Sequence, residues 1–211
     1  EGVGAEGELG IGRVSRFEFH ALHAAVASAA IALLTTMPAF AQQKLNLAQS
    51  DVSFTFKQMG VPVDGKFKKF DAQISFDAAK LDASKVTFTV DIASTTIGDP
   101  ATDAELPKAT WFNTAKFPQA TFVSSSIKAL GAGKYEAAGK LSIKGLAQDV
   151  VVPVTMSQAG SGATAITTAV GSFPIKRLTF KIGEGEWADT SMLADPVQVK
   201  FKLVLTGIGK L

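Results

Sequence analysis

The chain has 211 residues, 46% of them hydrophobic and 19% charged, with a net charge of +2, no cysteine, and only two histidines, His20 and His23. Beyond His23 neither a Ser-His-Asp or Cys-His nucleophile system nor a His- or Cys-ligated zinc site can be built. The lysines are scattered rather than striped, which excludes the electrostatic footprint of a nucleic-acid binder.

The first element in chain order reads as an export signal. Arg13 and Arg16 precede the apolar run Ala21 to Leu34, and Ala39-Phe40-Ala41 follows as an A-x-A cleavage site. The run is shorter than the roughly 20 apolar residues of a bilayer span, and His23 and Ser28 dilute it. The pattern predicts removal of residues 1–41, a periplasmic product and no integral membrane anchor after processing. Residues 1–12 precede the signal and carry no motif. Losing Arg13, Arg16, Glu1, Glu6, Glu8 and Glu18 leaves 19 basic and 15 acidic residues, a net charge of +4.

From Lys44 the hydrophobic pattern has period two. Val52, Phe54 and Phe56 alternate with Ser53, Thr55 and Lys57, and Asp64-Gly65 marks a turn. Phe67 and Phe70 lie on opposite parities, which predicts a bulge near Lys68 and Lys69. Val86, Phe88, Val90 and Ile92 form the next alternating run.

The stretch 99–121 breaks the pattern. Asp99-Pro100 is a helix start, and Pro107 limits the helix to about two turns. Trp111 and Phe112 follow side by side, and Phe117-Pro118 returns the chain to extended form. This stretch reads as a plug or lid.

Five further strands follow. Thr121 to Ile127 leans polar, and Tyr135, Ala137, Gly139, Leu141 and Ile143 share one parity. Pro153 suggests an edge or a strand end within Val150 to Met156. Ala163 to Phe173 is small and Thr-rich, and Val197 to Thr206 alternates cleanly.

Eight such strands with one helical insert predict an all-β fold, an antiparallel sheet closed into a barrel because closure removes the edges; a flat sandwich is the alternative. An eight-stranded barrel either fills itself with side chains or holds one small ligand, and periodicity does not choose between the two.

Several strings resemble the YceI-like family of lipocalin-like polyisoprenoid-binding proteins. They are Gly65-Lys-Phe67 with Phe76-Asp77, Asp103-Ala-Glu-Leu106 with Trp111-Phe112-Asn113, Phe117-Pro-Gln-Ala-Thr-Phe122, Gly139 to Gly145 with Val150 to Val154, and Ile175 to Phe180 with Ile182, Gly183, Trp187 and Asp189. The resemblance runs over most of residues 44–206. It implies an eight-stranded antiparallel lipocalin-like barrel with a short helical insert, a domain over 42–211, holding a long isoprenoid lipid or quinone as ligand. From the residue inventory, no cofactor and no enzymatic activity are expected. Two departures stand out. Thr102-Asp-Ala-Glu-Leu106 lacks the Arg and His of the Arg-Asp-x-His-Leu string of many members, and Lys144 stands where many have His.

The candidate ligand-binding residues are Phe54, Phe56, Phe67, Phe88, Ile92, Trp111, Phe112, Phe117, Phe122, Leu141 and Phe201, with Arg177 for a headgroup. Apolar residues of this kind also fill ordinary cores. Trp111, Phe112 and Phe117 are expected to close one end of the barrel. Arg177 is the last arginine in the chain; its alternative role is an ion pair to Asp103, Glu105 or Asp189. Asp99 and Asp103 suit the first turn of a helix better than a catalytic pair, and Gly183-Glu-Gly185 is a turn signal. A close-packed barrel acting through its outer surface is the rival to a carrier. A homodimer is an open expectation.

Overall fold

The alternating runs become strands, and the computed structural model describes residues 42–211. The expected leader, 1–41, lies outside the described residues. In chain order the strands are β1 (Lys44–Leu45), β2 (Asp51–Gln58), β3 (Val61–Phe67), β4 (Phe70–Ser75), β5 (Lys85–Asp91) and β6 (Thr95–Thr96). After helix α1 (Pro100–Glu105) come β7 (Gln119–Gly131), β8 (Lys134–Ile143), β9 (Leu146–Ala159), β10 (Ile166–Lys176) and β11 (Pro196–Thr206). Every pairing among the described residues is antiparallel.

Eleven segments stand where eight strands are expected, because three staves of the barrel are each broken in two. β1 and β2 both pair with β11, interrupted by a 3-10 turn at Leu47–Gln49. β3 and β4 form one bent stave that faces the bent stave β6 and β5. The bend falls at Lys68 and Lys69, as the parity change predicts: Lys68 N–H donates to Ser94 O, and Lys69 O accepts from Asp91 N–H. The order then runs β5-β7-β8-β9-β10-β11-β2-β3, and β3 continues through the bend into β4, which pairs with β5. The remaining edge, between β1 and β4, is closed by a side chain. The Gln43 amide accepts from Phe76 N–H at 2.8 Å and donates to Phe76 O at 2.7 Å, as a strand residue would.

Two strands depart from simple alternation. β7 carries a bulge between Ser124 and Ser126, so Phe122 and Ile127 both face inward although their sequence parity differs. Ser124 Oγ accepts from Val86 N–H at 2.8 Å where the ladder is disrupted. Pro153 is not a strand end: it lies inside β9, opposite Glu136. The β9–β10 ladder stops at Val154 and Gly171, so on that side no donor is needed from Pro153.

One end of the barrel, the lower, carries the Ala132-Gly133 turn and the C-terminal tail. Leu45, Phe76, Leu81, Tyr135, Ile208 and Leu211 pack there, with Phe76 edge-on to Tyr135 at 5.3 Å. Gln158 Nε2 holds the tail by donating to Thr167 Oγ1, Ile208 O and Gly209 O. The upper end carries the Met59-Gly60 and Lys144-Gly145 turns and is covered by two loops, 106–117 and 177–195.

α1 forms where the sequence predicts it. Asp99 Oδ2 accepts from Thr102 N–H at 3.0 Å and from Thr102 Oγ1, which also holds the Asp99 carboxyl below its ordinary value. Asp103 anchors the helix to the wall, accepting from Ile97 N–H and Thr96 Oγ1. No residue of α1 itself is buried. Trp111 and Phe112, on the loop C-terminal to the helix, make the plug.

Candidate ligand cavity

The inward residues do not fill the barrel. An open volume of about 260 Å³ remains inside, far above the roughly 10–15 Å³ that one water occupies by such a measure. Its wall presents no polar atom. Along β11 it is lined by Val197, Val199, Phe201, Leu203 and Leu205, a strand length of roughly 26 Å at about 3.3 Å per residue. The open space lies between Trp111 and Leu193 above and Phe76 and Ile208 below.

Three pairs of residues explain why the bore stays open. Phe54 lies over Gly65 on the neighbouring strand, Phe122 over Gly139, and Phe201 over Gly171. A Cβ on these glycines would come within 2.2 Å, 2.8 Å and 2.3 Å of the respective rings. The absence of a side chain lets each ring lie against the wall instead of standing across the lumen. Phe54 also contacts the Phe67 ring at 5.2 Å, so the aromatic surface is continuous around that side.

Of the residues expected to meet a ligand, Phe54, Phe56, Phe67, Phe88, Ile92, Trp111, Phe112, Phe122, Leu141, Phe201 and Arg177 line this space. Phe117 does not. Its ring packs against Gly145, where a Cβ would lie 2.6 Å from it, and Lys116 Nζ sits 5.4 Å from the ring centroid on the outside. Pro118 turns the chain into β7 immediately afterwards, which keeps Phe117 outside the wall.

Arg177 is 2% exposed, but its donors do not face the cavity. Nε donates to Ala194 O at 3.1 Å, Nη1 to Ile182 O at 2.9 Å and Gly183 O at 3.1 Å, and Nη2 to Leu193 O at 2.5 Å. It forms no ion pair with Asp103, Glu105 or Asp189. Burial pulls its pKa down, opposed by Asp195, and guanidinium remains the charged form. The sequence offered the choice between a ligand contact and an ion pair. The structure shows a third role: a cation that gathers the carbonyls of the 177–195 loop.

Lys144 plays the matching part from the β8–β9 turn. Its side chain is 7% exposed, and Nζ donates to Ala109 O, Lys181 O and the Glu184 carboxylate at 2.9 Å. This bond is the main reason that the Glu184 carboxyl titrates below its ordinary value. Gly183 and Glu184 N–H both donate to Thr110 O, and Trp111 packs on Trp187 at 5.5 Å. The two covering loops are therefore joined to each other through Thr110 O, the Trp111–Trp187 contact and the shared Lys144 ammonium. The second loop is not legible as a cover in the sequence, where 183–185 reads only as a turn; Trp187 is its best available signal.

A hollow antiparallel β-barrel with an apolar bore and a hydrogen-bonded cover offers an interior in which an apolar molecule would fit. Comparison with known families agrees in fold: residues 43–205 match the YceI-like domain, and the chain belongs to that family. It is similar to BcnA of Burkholderia cenocepacia, at 48% identity and TM-score 0.71, covering 76% of this chain and 99% of that one. It also resembles a YceI protein of Campylobacter jejuni, at 26% identity and TM-score 0.61, covering 67% and 83%. A polyisoprenoid-binding domain from Saccharophagus degradans shares the fold at 14% identity and TM-score 0.63, covering 78% and 98%. Among curated proteins, UPF0312 of Azotobacter vinelandii is 36% identical over 102 residues, 48% of this chain and 53% of that protein. The chain thus spans about half the length of the curated relatives it first matches.

Proposed function

We propose that this protein is a non-enzymatic periplasmic carrier that holds one long isoprenoid lipid, of the polyprenyl phosphate or quinone type, inside the barrel. The observation that carries this reading is the bore: open, slender, lined along a strand's length, and without a polar atom. Such a wall favours a long hydrocarbon chain, because every buried apolar Å² contributes about 25 cal/mol and no hydrogen-bonding group has to be desolvated. A polar headgroup finds no partner inside, so it belongs outside the bore. The fold shared with the polyisoprenoid-binding domain of Saccharophagus degradans supports the same class of ligand. A close-packed barrel acting through its surface is opposed by the open volume.

The test is native mass spectrometry of protein purified from cells, followed by lipid extraction. One long-chain isoprenoid per chain is expected, displaced in Ala137→Phe, which puts a ring into the bore. A wild-type barrel that stays empty when offered isoprenoids of several lengths would sink the proposal.

A further inference from the structure

At the upper end, three large apolar side chains stand in solvent on the β2–β3 hairpin tip and the cover loop bonded to it. Met59 is 71% exposed, Val61 62% and Met192 43%. Met59 and Gly60 form the two-residue β2–β3 turn, both with positive φ, +48° and +80°. This is the turn for which Asn-Gly or Asp-Gly is preferred, since a left-handed Met has no local hydrogen bond to offset its strain. Met59 N–H donates to Met192 O at 2.8 Å, which joins the hairpin tip to the 177–195 cover loop. The cavity lies close behind: Phe56, three residues before Met59 on β2, lines it, as does Leu193, next to Met192, which bridges to Gln58.

We infer that Met59, Val61 and Met192 form a foot that inserts into a lipid bilayer beside the covered end of the barrel. The inference rests on the carrier reading, because a water-insoluble cargo moves most easily where the door is held against its source. Size also selects the occupant. A stable protein interface needs roughly 20–30 residues a side, so three side chains are too few for a second copy. They are enough for shallow insertion into a hydrocarbon layer, which demands no shape match. Lys57 and Asp64 flank the tip with opposite charges, so attachment should depend on apolar insertion and hardly on lipid charge.

The test uses the full chain as it accumulates in cells and a variant combining Met59→Asn, Val61→Thr and Met192→Ser. Met59→Asn gives the turn its preferred residue, so the unfolding midpoint is expected to hold or rise. Co-flotation with phosphatidylcholine vesicles should fall at least tenfold in the variant, while wild-type flotation changes less than twofold when a fifth of the lipid is phosphatidylglycerol. Binding of a fluorescently tagged polyprenol in detergent should be the same in both proteins. Equal flotation of the two proteins, absence of wild-type flotation, or a wild-type dimer in sedimentation that the variant dissolves would each overturn the foot. Polyprenol binding without flotation would remove the foot alone; flotation lost in the variant, with no polyprenol binding by either protein, would remove the carrier reading and leave the foot.

Discussion

The two ends of the barrel are closed by different physics. Below, side chains from several elements pack directly on one another, and the C-terminal tail is pinned by one glutamine. Above, two loops are held by two cations, Arg177 and Lys144, whose partners are mostly backbone carbonyls of those same loops. Apolar packing weakens gradually when one contact is lost, whereas a few hydrogen bonds to a shared cation fail together. The upper end is therefore the end expected to open.

That contrast can be broken most forcefully at Arg177. Arg177→Met removes the donors to four carbonyls, three of the bonds buried, and should cost on the order of 3–5 kcal/mol, read as a lowered urea midpoint. Gly171→Ala acts on the bore between the ends. Its Cβ would meet the Phe201 ring at 2.3 Å and Pro153 O at 2.4 Å, so a loss of about 1–3 kcal/mol and weaker binding of an isoprenoid chain are expected together.

Gln158→Ala tests the lower end. It should cost about 1–2 kcal/mol and release the tail to hydrogen exchange, leaving tryptophan emission unchanged. Both tryptophans of the chain, Trp111 and Trp187, sit in the upper cover, so their emission reports that end alone. Lys144→Met should shift that emission and speed ligand exchange several-fold while hardly moving the lower end.

The mildest probe is acid. Asp99, Glu184 and Asp189 all titrate below their ordinary values, through bonds to Thr102, Lys144 and Ser191 respectively. A lowered folded pKa means that their contribution is complete above the ordinary values of 3.8 and 4.5 and is lost as the pH falls through the lowered ones. Tryptophan emission should therefore change on acidification below about pH 4 before hydrogen exchange of the C-terminal tail does. Simultaneous change at both ends would contradict the contrast.

Much of the fold was legible because alternation is a local property. β11 and β8 carry their inward residues at every second position, and the bend at Lys68–Lys69 was visible as a parity switch. The bulge at Ser125 was not, since the run Ser124-Ser125-Ser126 is small and polar throughout and fits either face; only the shifted ladder with β8 and the bond from Val86 reveal it. The lining aromatics were legible as a set, whereas Phe117, identical in type, could be excluded only by its contact with Gly145. Arg177 and Lys144 were opaque because their partners are carbonyls, which every residue carries and no sequence pattern marks. Hollowness itself came from glycines paired across strands with rings, a relation between residues 11 to 30 positions apart.

The bore as a site for a long apolar chain is tested most directly by native mass spectrometry of the protein from cells, with extraction and identification of any bound lipid, set beside Ala137→Phe. One isoprenoid chain per barrel in the wild type, and none in the variant, is the expected result. A barrel that stays empty in both, and takes up no isoprenoid of any length, would contradict it.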